Sequence, residues 1–310
     1  MFWQVVFRRV ISAGGVVVGV VCLVFVLLHL VPGDPVDVML GEYARPADKE
    51  ALRRALGLHQ PLPRQLAQYL ERVLHGDFGT SIYSGRPIGQ LLWERIPATA
   101  ELGCAALGLA LLLAFPLGIL AAVYRNSLVD VAAMSFSLLG VSIPNFWLGP
   151  MVILVGAVWL GWFPVSGREG LLSLVLPAVT LGTALAAILA RMIRSSLLDV
   201  LSEDFIRTAR AKGAAEWMVI LRHGVRNALL PVTTLVGLQL GSLLGGAVIT
   251  ETVFAWPGIG SLVVEAIQRR DYPVVQAAVL VIALAYVLVN LVTDVLYAWI
   301  DPRVRFEREP

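Results

Sequence analysis

The stretch EDFIRTARAKGAAEWMVILRHGVRNALLP, Glu203–Pro231, separates two apolar runs, 173–193 and 229–250, in a chain that is otherwise mostly hydrocarbon. It is basic and helix-forming, and Gly213 divides it into two pieces. A residue without a Cβ suits the left-handed turn that ends one helix and admits a sharp change of direction. Two short helices at an angle make a plug rather than a span. On the second piece Trp217, Ile220, Leu221 and Gly224 recur at helical spacing, leaving Arg222 and Arg226 available to acidic partners or lipid headgroups. The same periodicity fits an amphipathic helix lying on an anionic leaflet.

The rest of the chain fixes the class. Its 310 residues are 58% apolar and 15% charged, with mean hydropathy +0.79, outside the range of soluble domains. This is a polytopic membrane protein. A net charge of +2 is no ground for nucleic-acid binding, because basic loops serve membrane topology. Cys22 and Cys104 fall inside apolar runs and read as small buried hydrophobes rather than a disulfide. A span needs about 20 apolar residues to cross roughly 30 Å of hydrocarbon. Six stretches are long enough: 10–31, 99–124, 130–160, 173–193, 229–250 and 274–299. The first follows Arg8 and Arg9, is too long for the apolar core of a signal peptide and is expected to be retained. The third is overlong and carries Pro144 and Pro150, which predicts a kink or a helix that breaks and resumes.

Orientation follows from basic residues in short loops. Residues 1–9 hold two, the turn at Arg125 one, 191–226 seven and the tail from 300 three, against Arg168, Arg269 and Arg270 on the other side. Both termini and the Glu203–Pro231 segment are therefore expected in the cytoplasm. Residues 32–98 form an extracytoplasmic insertion in which PADKEALRRALG and PRQLAQYLERVLHG read as helices stopped by Gly57 and Gly76. The second helix has an apolar face at Leu66, Tyr69, Leu70, Val73 and Leu74, and GDFGTSIYSGRPI after it is glycine-broken. Such an ordered layer suits a docking surface for an external protein, or a lid on its own bundle.

Catalytic chemistry is not evident. No G-x-x-x-x-G-K-[ST] occurs and the lysines are Lys49 and Lys212 alone, so a phosphate-cradling loop is excluded and energy must come from another subunit or an ion gradient. His29, His59, His75 and His223 are scattered without metal-ligand spacing, and no intramembrane enzyme motif is present. An ion-coupled secondary transporter remains the alternative of another class, since its substrate helices are often broken by proline. Its ionisable residues would sit at the midplane, whereas Glu101 and Asp294 lie near the ends of their spans. Neutral groups at Ser142, Asn145, Gln239 and Ser242 fit a pathway lining, or hydrogen bonds between helices. Gly237, Gly241 and Gly245 form a stripe that suits close helix packing, with a wide pathway wall as the alternative.

The Gly213 segment resembles the cytoplasmic coupling loop of ABC importer permeases, in the branch serving dipeptides, oligopeptides, glutathione and nickel. RTARAKG and RHGVRNALLP match that branch's form, where the wider family has Glu-Ala-Ala before the glycine and Ile-x-Leu-Pro after it. Further matches run in order: LVPGDP at 30–35, HGDFG at 75–79, IPATAELG at 96–103, SIPNFWLG at 142–149, LGGAVITETVFAWPGIG at 244–260, RDYPVVQ at 270–276 and DPRVR at 301–305. The resemblance implies an all-α, six-span, type I ABC importer permease forming one domain over 1–310, with the coupling loop at 199–228. It also implies a second homologous permease, two ABC ATPases that bind the ATP and magnesium, an extracytoplasmic solute-binding protein and a bacterial or archaeal inner membrane. This chain itself would hold no cofactor and no metal.

ATPase coupling is assigned by the resemblance to Arg207, Thr208, Ala209, Arg210, Lys212, Gly213, Trp217, Arg222 and His223. Charge reversal at Arg210 or Arg222 is expected to weaken ATPase association. The absence of His, Cys or carboxylate clusters in the spans argues against a bare metal ion and favours short peptides, with glutathione or nickel complexes as alternatives. At the outer end of the fifth span, Glu251, Phe254, Trp256, Pro257 and Gly258 are expected to form an outer gate closing against the partner permease, or else an ordinary aromatic-belt turn.

Overall fold

The computed structural model describes residues 14–27, 36, 40–41, 44–55 and 57–300, and at 55, 242, 244, 246 and 294–300 the backbone alone. The protein is all-α, about 80% helical and without a sheet among the described residues. Its chain divides into two compact units, Met1–Thr99 with Pro257–Val287, and Ala100–Trp256 with Leu288–Pro310.

The first unit holds α1 (Gly14–Leu27), α2 (Pro46–Ala55) and α3 (Leu62–Leu74). It also holds the start of α4 (Ile88–Val123), α11 (Ile259–Gln268) and the start of α12 (Tyr272–Ile300). Gly57 and Gly76 have φ of 70° and 75° and stop α2 and α3 as expected. Tyr69, Leu70 and Val73 pack with Val17, Val21 and Leu280, but Leu74, the last residue of α3, is 86% exposed. Burial pushes the Tyr69 hydroxyl up to about 12. Ile88 and Leu92 of α4 pack with Ile259 and Leu262 of α11 and Val274 and Ala278 of α12. The irregular stretch after α3 is tied down by one buried carboxylate, Asp271, which accepts the Ser81 hydroxyl and the N–H groups of Ile82 (3.1 Å) and Tyr83 (3.3 Å).

Asp271→Ala would orphan those donors at about 1–3 kcal/mol for each that stays dry. The expected result is new proteolytic cleavage within residues 76–87 in sealed vesicles, while Asp271→Asn, which keeps one acceptor, shows less. Equal protection of all three chains would refute the tether.

In the second unit the third apolar stretch is a helix that breaks and resumes. Leu128–Ser142 (α5) and Asn145–Trp159 diverge by 106° across Ile143–Pro144. Pro144 has no N–H to continue the ladder, and Ile143 before it is forced to an extended φ/ψ of −86°/117°. The second arm starts as α6 (Asn145–Val152) and passes, after Pro150, into the π-helical turns Ile153–Trp159.

The central element is α7 (Leu171–Leu201). Glycines let its neighbours approach at backbone contact: a Cβ on Gly182 would lie 2.7 Å from the Ala106 carbonyl oxygen. One on Gly118 would lie 2.7 Å from that of Ala190, and one on Gly140 3.0 Å from the Ala187 methyl. After α7 come α8 (Asp204–Ala211) and α9 (Glu216–Met218), which runs through the π-helical turns Val219–Val225 into α10 (Arg226–Val253). The junction residues Val219 and Arg226 keep right-handed helical dihedrals, −60°/−49° and −56°/−40°. The expected second short helix is thus the head of a rod reaching from Glu216 to Val253, since the backbone stays helical throughout and Pro231 removes one ladder bond without ending it.

By length and composition, three helices among the described residues can cross a bilayer, Ile88–Val123, Leu171–Leu201 and Tyr272–Thr293, or four with the bent pair taken as one span. The helices α1, α4, α5 with α6, α7, α10 and α12 fall on the six apolar stretches of the sequence. Helix α4 starts at Ile88, not at 99, and at 1.5 Å per residue measures about 54 Å, so it reaches well beyond the hydrocarbon.

Candidate functional site: a coupling turn and a braced helix end

α8 is a short amphipathic helix with Ile206 buried and Phe205, Arg207 and Thr208 facing out. Gly213 follows it with φ 79°. The Gly213 N–H donates to the Arg210 carbonyl (2.9 Å) and the Ala214 N–H to the Ala209 carbonyl (3.2 Å), the paired bonds of a left-handed helix stop. Nothing lies within 4 Å of where its Cβ would be, so the backbone alone demands glycine here.

Across that turn Arg210 grips Glu216 with two bonds, Nε to Oε2 at 3.1 Å and Nη2 to Oε1 at 2.6 Å. The guanidinium of Arg210, one of the residues expected at an ATPase, is engaged by Glu216 of its own chain and stays 44% exposed. The hydrogen bond from Arg210 holds the Glu216 carboxyl below its ordinary value. A carboxylate depressed in the folded state stabilises above its unfolded range, and that contribution is lost as pH falls through the folded value. Both groups are exposed, so the effect is local and small. Amide-exchange protection over residues 213–216, corrected for intrinsic rates, should fall on acidification in the parent and stay flat in Glu216→Gln. A flat profile in both would refute the staple.

On the far side of the turn, Val219 and Gly224 face inward. A Cβ on Gly224 would stand 2.9 Å from Leu197 Cδ1 and 3.4 Å from Leu201 Cδ2, which seats the π-helical stretch against the end of α7. Trp217 and Leu221 are 64% and 53% exposed and share the outer surface with Phe205 and Arg222. The expected stripe of Trp217, Ile220, Leu221 and Gly224 is therefore split. A π-helical register shifts the phase of a pattern read at 3.6 residues per turn. Arg207 reaches Asp204 at 3.4 Å, Ala209 is half-buried, Lys212 is exposed, and the His223 carbonyl accepts Asn227 Nδ2–H at 2.7 Å.

At the other end of α10, Glu251, Phe254 and Trp256 are 0–1% exposed. Ala255, at φ 47°, makes the reversal expected of Pro257–Gly258, with the Trp256 N–H bonded to the Glu251 carbonyl at 2.8 Å. The Phe254 ring lies against Gly149 of α6, and its carbonyl accepts the Gly167 N–H at 2.9 Å. Arg168 stands 5.9 Å over the Trp256 ring and grips Glu101 of α4 at 2.6 Å. The two aromatics are enclosed by their own chain and present no sealing face. Gly258, at φ −101° and ψ −175°, is the N-cap of α11 and follows Pro257.

The expected pathway residues are not gathered into one lining. Ser142 is exposed and gives its hydroxyl to the Leu138 carbonyl (2.8 Å), while Asn145 and Gln239 are half-buried. The side chains of Ser242 and Asp294 lie outside the described residues, as do 1–9 and the tail from 301. Gly237 is a packing glycine whose Cβ would run into Thr293, Gly241 is buried and Gly245 opens on free space. Among the described residues no three of His, Cys, Asp and Glu gather as metal ligands.

Sequence reasoning missed Glu216, the Arg168 brace and a pair between buried Asp130 and half-buried Arg194, where Nε and Nη2 bond the carboxylate at 2.6 and 2.7 Å. Charges six residues apart around a helix-stopping glycine signal the first; the others join residues more than sixty positions apart, for which one sequence carries no signal.

Residues 114–306 match the family described as binding-protein-dependent transport system inner membrane component, and residues 1–103 match its N-terminal companion. Similar curated proteins include the glutathione transport system permease protein GsiC of Pectobacterium atrosepticum, 46% identical over 93% of this chain and 94% of that protein. GsiC of Salmonella choleraesuis is 45% identical over 97% of this chain and 99% of its own. Among solved structures, the MetNI methionine ABC transporter in inward-facing conformations aligns with TM-score 0.60 and 19% identity over 68% of this chain and 97% of that one. An amino acid ABC transporter solved with histidines aligns with TM-score 0.52 at 15% identity, over 69% and 94%. These structural likenesses carry the fold, and the sequence matches carry the family: the chain belongs to the binding-protein-dependent inner membrane components and is an ABC importer permease.

Proposed function

We propose that this permease moves glutathione, or a short peptide close to it, into the cytoplasm by alternating access, beside a second homologous permease, two ABC ATPases and an extracytoplasmic solute-binding protein. One observation carries the substrate: relatives bearing the glutathione permease name match at 45% identity or more over at least 92% of the chain. This narrows the expectation of short peptides to one tripeptide class. Family membership supports a membrane subunit whose ATPase and binding protein are separate chains. The count of basic loop residues supports cytoplasmic termini and a cytoplasmic Gly213 turn.

Closure of the ATPases must move transmembrane helices, which needs a rigid element held at one end by the ATPase and joined at the other to the bundle. The segment Asp204–Val225 has that form. Exposed Phe205, Trp217 and Leu221 suit an apolar pocket on a partner, and Gly224 seats the segment on α7. The Glu251–Gly258 segment is read as the frame of an outer gate rather than its seal, since Phe254 and Trp256 are enclosed.

Binding calorimetry on the cognate solute-binding protein, against glutathione, other short peptides and nickel chelates, tests the substrate. Tight glutathione binding with weaker binding of other peptides is expected. Tight binding of a nickel complex with none of glutathione would overturn it.

A further inference from the structure

Two charges inside the second unit have no part in the coupling turn or the helix-end brace. Asp130 lies in the first turn of α5, 4% exposed, with Ser127 as the N-cap. Its carboxylate takes the Arg194 fork and, as a third bond, the N–H of Asn126 at 2.9 Å. Asn126 is itself left-handed, at φ 62°, so the α4–α5 turn is folded around the same carboxylate. Arg194 sits two turns before Leu201, where α7 hands over to α8. Further along α5, Gly140 packs against Thr183 and Ala187 of α7. The helix is thus fastened to α7 near both ends, and the next residues in the chain are the Ile143–Pro144 break.

We propose that Asp130 and Arg194 are a positioning pair that keeps α5 moving with α7 through the transport cycle, so that displacement of the coupling segment is delivered to the break at Ile143–Pro144. This rests on the reading of the Gly213 segment as the ATPase seat. A bidentate guanidinium–carboxylate pair resists both sliding and rotation between two helices, which apolar contact alone permits. Its placement at the α8 end of α7 puts it where force enters. With both attachments held, the remaining freedom between α5 and α6 is the proline break, where no ladder bonds must be broken.

Single replacements would leave one charge unpaired in the bundle and disturb assembly for that reason alone. The test is therefore the double variant Asp130→Leu/Arg194→Leu, reconstituted with both ATPases, the second permease and the binding protein. The expected result is an assembled complex that hydrolyses ATP but imports about 5-fold or more less glutathione per ATP, the lower end of typical coupling between sites. A parental ratio would overturn the proposal and leave the pair a packing feature. If the leucine pair does not assemble, Asp130→Cys/Arg194→Cys in a Cys22→Ser/Cys104→Ser background decides. Tethering with a short bis-methanethiosulfonate should raise import per ATP towards the parental ratio, whereas a tether that blocks import shows that the helices must part. Failure of the underlying reading is separable: it appears as normal import by Gly213→Pro, which failure of the pair leaves untouched.

Discussion

Replacing Trp256 with alanine is expected to lower stability by about 3–5 kcal/mol, the cost of deleting a large aromatic from a filled interior. The ring is fully enclosed, with the Arg168 guanidinium 5.9 Å above it, and the backbone around it is locked by the bond from its N–H to the Glu251 carbonyl. Removing the indole leaves a cavity beneath an ion pair that braces α4, and the neighbours cannot collapse into it without giving up that pair. Had these aromatics sealed a gate against another subunit, truncation would raise leak in an intact complex. Enclosure changes the expected phenotype to lost yield and an early unfolding midpoint in detergent. Arg168→Gln should cost far less, because an ion pair more than a third exposed contributes about 0–1 kcal/mol. Equal midpoints for Trp256→Ala and the parent would show that the ring is not packed as described.

Gly213→Pro should abolish ATP-coupled import while leaving the chain folded. The glycine holds φ at 79°, whereas proline is fixed near −65°, and proline also removes the N–H that bonds the Arg210 carbonyl. Since no atom lies within 4 Å of the missing Cβ, the damage comes from the backbone of the turn and not from a side-chain clash. Alanine, which can be forced left-handed for about 1–2 kcal/mol, should give partial import. Co-purification of the ATPases with the three chains, set beside import per ATP, measures both consequences. Import by Gly213→Pro equal to the parent would remove the coupling role of the turn.

Much of this was legible in one sequence because the bilayer makes long apolar runs unambiguous and glycine marks left-handed stops. The spans and the stops at Gly57, Gly76 and Gly213 follow from those two rules, and the break near Pro144 from the N–H that proline lacks. Two misplacements have local causes. Helical phase was misread through Val219–Val225, where π-helical turns carry Gly224 inward and leave Trp217 outside, and the reversal after α10 falls on Ala255, which carries no turn signal of its own. The polar fastenings lay beyond reach for another reason. Asp130 with Arg194, Glu101 with Arg168 and Asp271 with residues 81–83 each join distant parts of the chain, and neither periodicity nor propensity encodes a partner so far away.

Uptake of labelled glutathione into proteoliposomes, with the two permeases and two ATPases reconstituted and the binding protein outside, tests the central claim most directly. Import is expected only with ATP and magnesium on the ATPase side and loaded binding protein on the other, and no imposed ion gradient should replace them. Uptake driven by a proton or sodium gradient without ATP would contradict an ATP-driven importer and point to a secondary transporter instead.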